Sequence, residues 1–134
     1  MHILNGHDGM PAGLRGSVLV IGNFDGVHHG HQALIGTAKT EAGRLAWPVG
    51  VMAFEPHPRV FFKPSEPHFR LTTLDRKLAL LAKLGLDFAL VEPFDAAFAA
   101  LSPADFIARV LVAAIGVRHV VIGYDFFYGK GRAG

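Results

Sequence analysis

The sequence predicts an α/β fold, a parallel sheet flanked by helices, and three observations predict it. Val18-Leu19-Val20-Ile21 and Val49-Gly50-Val51-Met52-Ala53-Phe54 are apolar without alternation, as strands covered on both faces are. Between such runs lie segments whose apolar residues recur at spacings of three and four, the mark of helices with one buried face. Each of these two runs leads into a segment rich in Gly, Asp, His or Pro, and in α/β sheets the carboxyl ends of the strands hold the ligand.

Taken in order, the chain opens with MHILNGHDGMPAGLRG, a polar, glycine-rich stretch read as an ordered or fraying lead-in and not as a signal peptide, since no apolar core follows a charged start. Val18 to Ile21 is the first buried strand. Gly30 to Leu45 carries Ala33, Leu34, Ala38, Ala42 and Leu45 on one helical face. Pro48 limits that helix, and Val49 to Phe54 is the second strand. Val60 to Arg70, with Pro64 and Pro67 and no period, reads as a long loop, and long loops in compact domains are often functional. Thr72 or Thr73 can cap a helix over Leu74 to Leu84, which Gly85 ends. Asp87 to Val91 is a third short strand, followed by an apolar segment, Asp95 to Leu101, with little pattern. Ser102-Pro103-Ala104-Asp105 places a capping hydroxyl, a proline at the first helical position and an acid in the first turn, so a helix starts there and runs to Ile115, before Gly116. His119 to Gly123 is then a fourth buried strand. The alternation of strands and helices requires parallel crossovers.

Composition narrows the function. At 134 residues the chain reads as one domain, and 51% hydrophobic with 18% charged residues is a globular balance. A net charge of +2 with scattered Lys and Arg argues against a nucleic-acid partner. The chain has no cysteine, which excludes disulfides, thiolate metal sites and cysteine nucleophiles. No apolar run reaches the roughly 20 residues that a membrane helix needs, so the expectation is a cytoplasmic protein with no membrane partner.

The stretch Gly22 to Gln32, GNFDGVHHGHQ, joins the first strand to the first helix. Free backbone N–H groups and the helix dipole favour an anion at such a start, and Gly30 removes a side chain that would hold a phosphate off. His28 and His31, three apart, can point the same way and donate to one phosphate group. The stretch is neither a Walker loop, because no Lys-Ser/Thr pair follows, nor the dinucleotide fingerprint, because Gly22 and Gly26 are wrongly spaced.

Three ordered segments, Gly22 to Gln32, Phe54-Glu55-Pro56-His57-Pro58 and Gly123-Tyr124-Asp125-Phe126-Phe127-Tyr128-Gly129-Lys130-Gly131, resemble the HxGH, FxPHP and GxDFxFG signatures of the nucleotidyltransferase superfamily. They match the version carried by bacterial FMN adenylyltransferases, the N-terminal modules of bifunctional riboflavin kinase/FAD synthetases. The resemblance covers essentially the whole chain. It implies a Rossmann-like nucleotidyltransferase fold and transfer of AMP from ATP to FMN, giving FAD and pyrophosphate with Mg2+. It further implies that His28 and His31 hold the ATP phosphates as the catalytic pair, that Gly22, Phe24, Asp25, Gly26 and Gly30 shape the ATP site, and that Pro56, His57, Pro58, Asp125 and Phe126 line the FMN side. No residue of the chain is assigned as a metal ligand. Relatives continue into another helix and strand, a Ser-Ser/Thr-x-x-Arg segment and a riboflavin kinase domain, so residues 1–134 read as a C-terminally truncated module whose sheet lacks its last strand. Phe127 stands where many relatives carry Arg.

Structural readings stand beside these. His28 and His31 could cap the helix or, with a third ligand, bind a metal; His57 between two prolines could be a rigid turn, and Asp125 could cap one. His2, His7, His68 and His119 read as surface or strand residues. The phenylalanines are mainly core, with one or two near Phe54, Phe61, Phe62 or Phe126 available to stack on a ring. A nucleotidyltransferase for another phosphorylated acceptor and a non-catalytic flavin or nucleotide binding module are the alternative functions.

Overall fold

The computed structural model describes residues 1–22, 29–55 and 74–122. Among them, five strands form one sheet: β1 (His2–Asn5), β2 (Val18–Ile21), β3 (Val49–Glu55), β4 (Phe88–Pro93) and β5 (His119–Ile122). The strand order is β1-β4-β3-β2-β5, and every neighbouring pair is parallel. The helices are α1 (His29–Leu45), α2 (Leu74–Ala82), α3 (Ala96–Ala99), α4 (Pro103–Asp105) and α5 (Phe106–Ile115), and a 3-10 turn (Ala12–Leu14) lies between β1 and β2.

The unalternating apolar runs have the expected cause, because both faces of the sheet are covered. Leu19, Ile21, Met52, Phe54, Phe88 and Leu90 point to one core, shared with Phe94, Phe98 of α3 and Phe106, Val110, Leu111 and Ile115 of α5. Val18, Val20, Val49, Val51, Ala53 and Ala89 point to the other, shared with Ile35, Ala38 and Ala42 of α1 and Leu81 of α2. Successive strand residues thus alternate between two apolar layers instead of between apolar and wet. Gly50 is required where it stands: a Cβ there would lie 2.4 Å from the ring of Phe88, its register partner on β4.

The sequence reading of the N-terminal stretch as a lead-in is corrected. His2–Asn5 is a strand on the edge of the sheet, paired with β4 in register from His2↔Phe88 to Asn5↔Val91. Its four residues are mostly exposed, so they lack the apolar signature that marks the central strands. The fourth predicted strand, β5, is present but is not buried: it is the opposite edge, and Ile122 is 54% exposed. The patternless segment Asp95 to Leu101 contains the short helix α3, started by the Asp95 carboxylate accepting from the Phe98 N–H at 2.8 Å.

The helix predicted from Ser102 starts as expected, with the Ser102 hydroxyl accepting from the Asp105 N–H at 3.1 Å and Pro103 in the first turn. Beyond Phe106 its winding widens to the π form over ten residues, which the apolar spacing does not foretell. It closes at Gly116 in the left-handed region, φ 71°, and the Arg15 guanidinium donates to the last-turn carbonyls of Ala113 and Ala114. α2 ends at Ala82, two residues before the predicted end, and Gly85 at φ 78° follows in a turn. The capping roles of Thr72 and Thr73 and the long loop Val60 to Arg70 lie outside the described residues. No described helix is long and apolar enough to cross a membrane.

Candidate active site

All five strands run the same way, so their carboxyl ends share one edge of the sheet. That edge is where the sequence placed its chemistry. β2 delivers the chain to Gly22, which is buried and donates its N–H to the Met52 carbonyl at 3.1 Å. α1 then begins at His29, so Gly30 and His31 occupy its first turn. α1 runs for 17 residues, and its N-terminal N–H groups and dipole are directed to this edge. β2 also marks the switch in topology. The connection from β2 to β3 packs α1 on one face, whereas the connection from β4 back to β5 packs α3 and α5 on the other. Where neighbouring connections leave to opposite faces, a crevice opens outside the strand ends.

Two further predicted segments follow strand ends on this edge. Glu55 closes β3, and its carbonyl accepts from the Phe94 N–H at 3.1 Å, tying the ends of β3 and β4 together. Pro56, His57 and Pro58 come next in the chain, as Asp125 and Phe126 come after β5. These five residues, with Phe24, Asp25, Gly26 and His28, lie outside the described residues. The structure therefore fixes the strand ends that deliver the motifs and the helix carrying Gly30 and His31. Phe54, considered above as a stacking ring, is only 2% exposed and packs edge-on against Phe94 with centroids 5.6 Å apart, so it belongs to the core.

One polar pair on this edge was not legible in the sequence. His7, just past β1, contacts Glu92, near the end of β4, through Nδ1 and Oε1. Glu92 is 3% exposed and the His7 side chain is half-buried beyond the end of β1, so His7 is neither the surface nor the strand residue that the sequence suggests. Burial pushes the Glu92 carboxyl above its ordinary value, and the hydrogen bond and charge of His7 pull it back only in part. The only sequence signal for the pair is an acid interrupting an apolar run, FALVEP. Among the described residues no group of three or more His, Asp, Glu or Cys side chains is placed to hold a metal ion.

The fold is that of a doubly wound α/β protein of the nucleotidyltransferase-like type, with α1 starting at the carboxyl edge of the sheet after the switch strand β2. The family model described as FAD synthetase matches residues 10–134, and the chain belongs to that family. It is 43% identical over its whole length to the bifunctional riboflavin kinase/FMN adenylyltransferase of Escherichia coli K12, of which it spans 43%. The protein of the same name from Bacillus subtilis is 40% identical over 97% of this chain and 41% of its own length. The chain thus spans less than half the length of these relatives. Among solved structures, one described as a macrolide-efflux protein from Streptococcus pneumoniae superposes with a TM-score of 0.81 over 98% of this chain and 44% of that one, at 24% identity, a likeness of fold.

Proposed function

We propose that residues 1–134 form an FMN adenylyltransferase module, transferring AMP from ATP to FMN. The observation that carries the reading is the start of α1 at the carboxyl edge of the sheet, in the connection that follows β2, in a chain of the FAD synthetase family. In this reaction a phosphate oxygen of FMN attacks the α-phosphorus of ATP. The bond from that phosphorus to the bridging oxygen of the β-phosphate breaks, and the electron pair leaves with pyrophosphate. The FMN phosphate is already an anion, so no general base is needed. What the protein supplies is alignment of two anionic groups and donors toward the departing charge.

The N-terminal N–H groups of α1 supply fixed donors, and His28 and His31 add side-chain donors beside them. Gly22, Phe24, Asp25, Gly26 and Gly30 shape the ATP side. Pro56, His57 and Pro58 after β3, with Asp125 and Phe126 after β5, line the FMN side. Mg2+ enters as the ATP complex and is substrate, not a resident of the protein. ATP and FMN as substrates, together with a chain without cysteine, support a cytoplasmic setting. The relatives' names pair this activity with riboflavin kinase, so a kinase domain that supplies FMN is the partner expected in the whole protein.

Purified chain incubated with ATP, FMN and Mg2+ is expected to yield FAD and pyrophosphate in equal amounts, read by chromatography. Loss of one charge-stabilising donor costs about 10²–10³-fold in kcat, so His31→Ala is expected to fall by that factor with its fold intact by circular dichroism. Binding of both nucleotides without any product would refute transfer, and full turnover by His31→Ala would refute the phosphate role.

A further inference from the structure

The outer border of β1 lies three strands away from β2 and is an open edge of the sheet. His2 donates its N–H to the Asp87 carbonyl at 3.0 Å and Gly6 to the Val91 carbonyl at 2.9 Å, so these alternate residues turn their backbone groups to β4. Successive residues of a strand face opposite ways. Ile3 and Asn5 therefore turn their N–H and C=O groups outward, where no strand lies among the described residues. Such a row is a template for another strand, and HILN carries no lysine or proline to discourage one. Beside this edge, on the α2 side of the sheet, runs an open groove of about 340 Å³, lined by Met1 and Ile3 and by Asp75, Leu78, Ala79 and Ala82 of α2. Ile3 is 52% exposed and Met1 41%, so a single copy of the chain leaves apolar surface wet along the whole edge.

We propose that this edge receives a second copy of the same chain, β1 against β1, in an antiparallel pairing centred on Ile3. A two-fold axis through that point, normal to the sheet, lets the two Ile3 residues exchange both N–H···O=C bonds and sets each Asn5 opposite the other copy's Met1, using groups that already face outward. Directly opposed residues hold their side chains on one face, so the second copy's Ile3 enters on the α2 side, over the groove. A ladder of four residues is too short to hold a dimer alone, and the apolar groove supplies the remainder. Charge selects the same partner. Exposed Asp75 stands in the first turn of α2, at the carboxyl edge of the sheet, and exposed Lys83 follows the end of α2, at the amino edge where the chain turns into β4. The axis sets the two α2 helices antiparallel, so the Asp75 end of each meets the Lys83 end of the other, twice per dimer. The contact closes at two copies and leaves the start of α1 open in both.

Sedimentation equilibrium of the purified chain, from micromolar to near-millimolar concentration, is expected to show a monomer–dimer equilibrium. Ile3→Lys is expected to weaken the dimer about a hundredfold, because two isoleucines lose their burial and two ammonium groups meet at the axis. Its far-UV circular dichroism should match the wild type, since the Ile3 side chain is half exposed in a single copy. Asp75→Lys is expected to weaken the dimer roughly threefold to tenfold through two symmetric pairs, and Asp75→Lys combined with Lys83→Asp to restore it. A wild-type chain that stays monomeric, which would leave the groove to another occupant, overturns the proposal. So does a chain that grows beyond two copies, or an Ile3→Lys variant that associates as the wild type does. A double variant that associates no more tightly than Asp75→Lys alone overturns the antiparallel placement of α2 and the proposal with it.

Discussion

Replacing Gly50 by alanine tests how tightly the two sheet faces are packed beneath the site. The new Cβ would meet ring carbons of Phe88 at 2.4 Å, whereas carbon atoms rest at about 3.5–4.0 Å. The ring would have to move by more than 1 Å on this comparison. Phe88 is fully buried in the layer that also holds Phe54, Met52 and Leu90, so little space receives it. Expelling the ring altogether would forfeit roughly 4–6 kcal/mol at about 25 cal/mol per Å² over 150–250 Å². Partial displacement with strain costs about 1–3 kcal/mol, and the upper end is expected because the clash is with ring atoms instead of a flexible chain end. Urea unfolding followed by far-UV circular dichroism is expected to show a loss of about 3 kcal/mol, with Tm lower by roughly 10 °C for a domain of this size. Phe88→Leu in the same chain should make Gly50→Ala cheaper by about 1–2 kcal/mol, the coupling expected of touching residues. A single-mutant loss below about 0.5 kcal/mol, the level of an ordinary surface change, would refute the packing argument.

Ala46 holds φ 57° just past α1, where the Trp47 N–H reaches the Ala42 carbonyl and the Ala46 N–H the Gly43 carbonyl, the bonding of a Schellman cap with alanine in glycine's place. Ala46→Gly is therefore expected to stabilise by about 0.5–1 kcal/mol, the left-handed strain relieved less the extra chain entropy of glycine, and an unchanged or lower urea midpoint would contradict it. Glu92 has its carboxyl raised above 4.5 by burial, so the native state holds its proton more tightly than the unfolded chain. The associated stability is fully present below 4.5 and is lost as pH rises through the native value. Glu92→Gln, which cannot ionise, is expected to gain on the wild type in urea midpoint as pH increases from acid to neutral. A difference independent of pH would show that Glu92 does not titrate in this way.

Much of the frame was readable in order along the chain because its causes are local. Val18 to Ile21 announced two-sided burial, and in the sheet its residues do alternate between two apolar layers. Ser102 and Pro103 announced a helix start, since a cap depends on residues three positions apart. The strand-to-helix passage from Gly22 to His31 announced a helix start from the same short-range logic, and α1 begins within it.

The residues alone left two strands mis-stated. β1 has too little apolar character to declare itself and is a strand only because β4 offers it a free edge, and β5 has an apolar run like a buried strand yet lies at an edge where Ile122 is exposed. Strand order is a choice among non-local pairings, and side-chain pattern says which faces are apolar but not which neighbour is taken.

By itself, then, the sequence determined the class of fold, the two-sided core and the helix start that follows the first buried strand, because these follow from spacing and capping within a few residues. Only the tertiary structure decided that β1 joins β4, and with it that His7 meets a buried Glu92 85 positions away. The physical reason is that a buried carboxyl is defined by the low-dielectric surroundings that folding assembles around it, and those surroundings come from β1, β4 and α3 together.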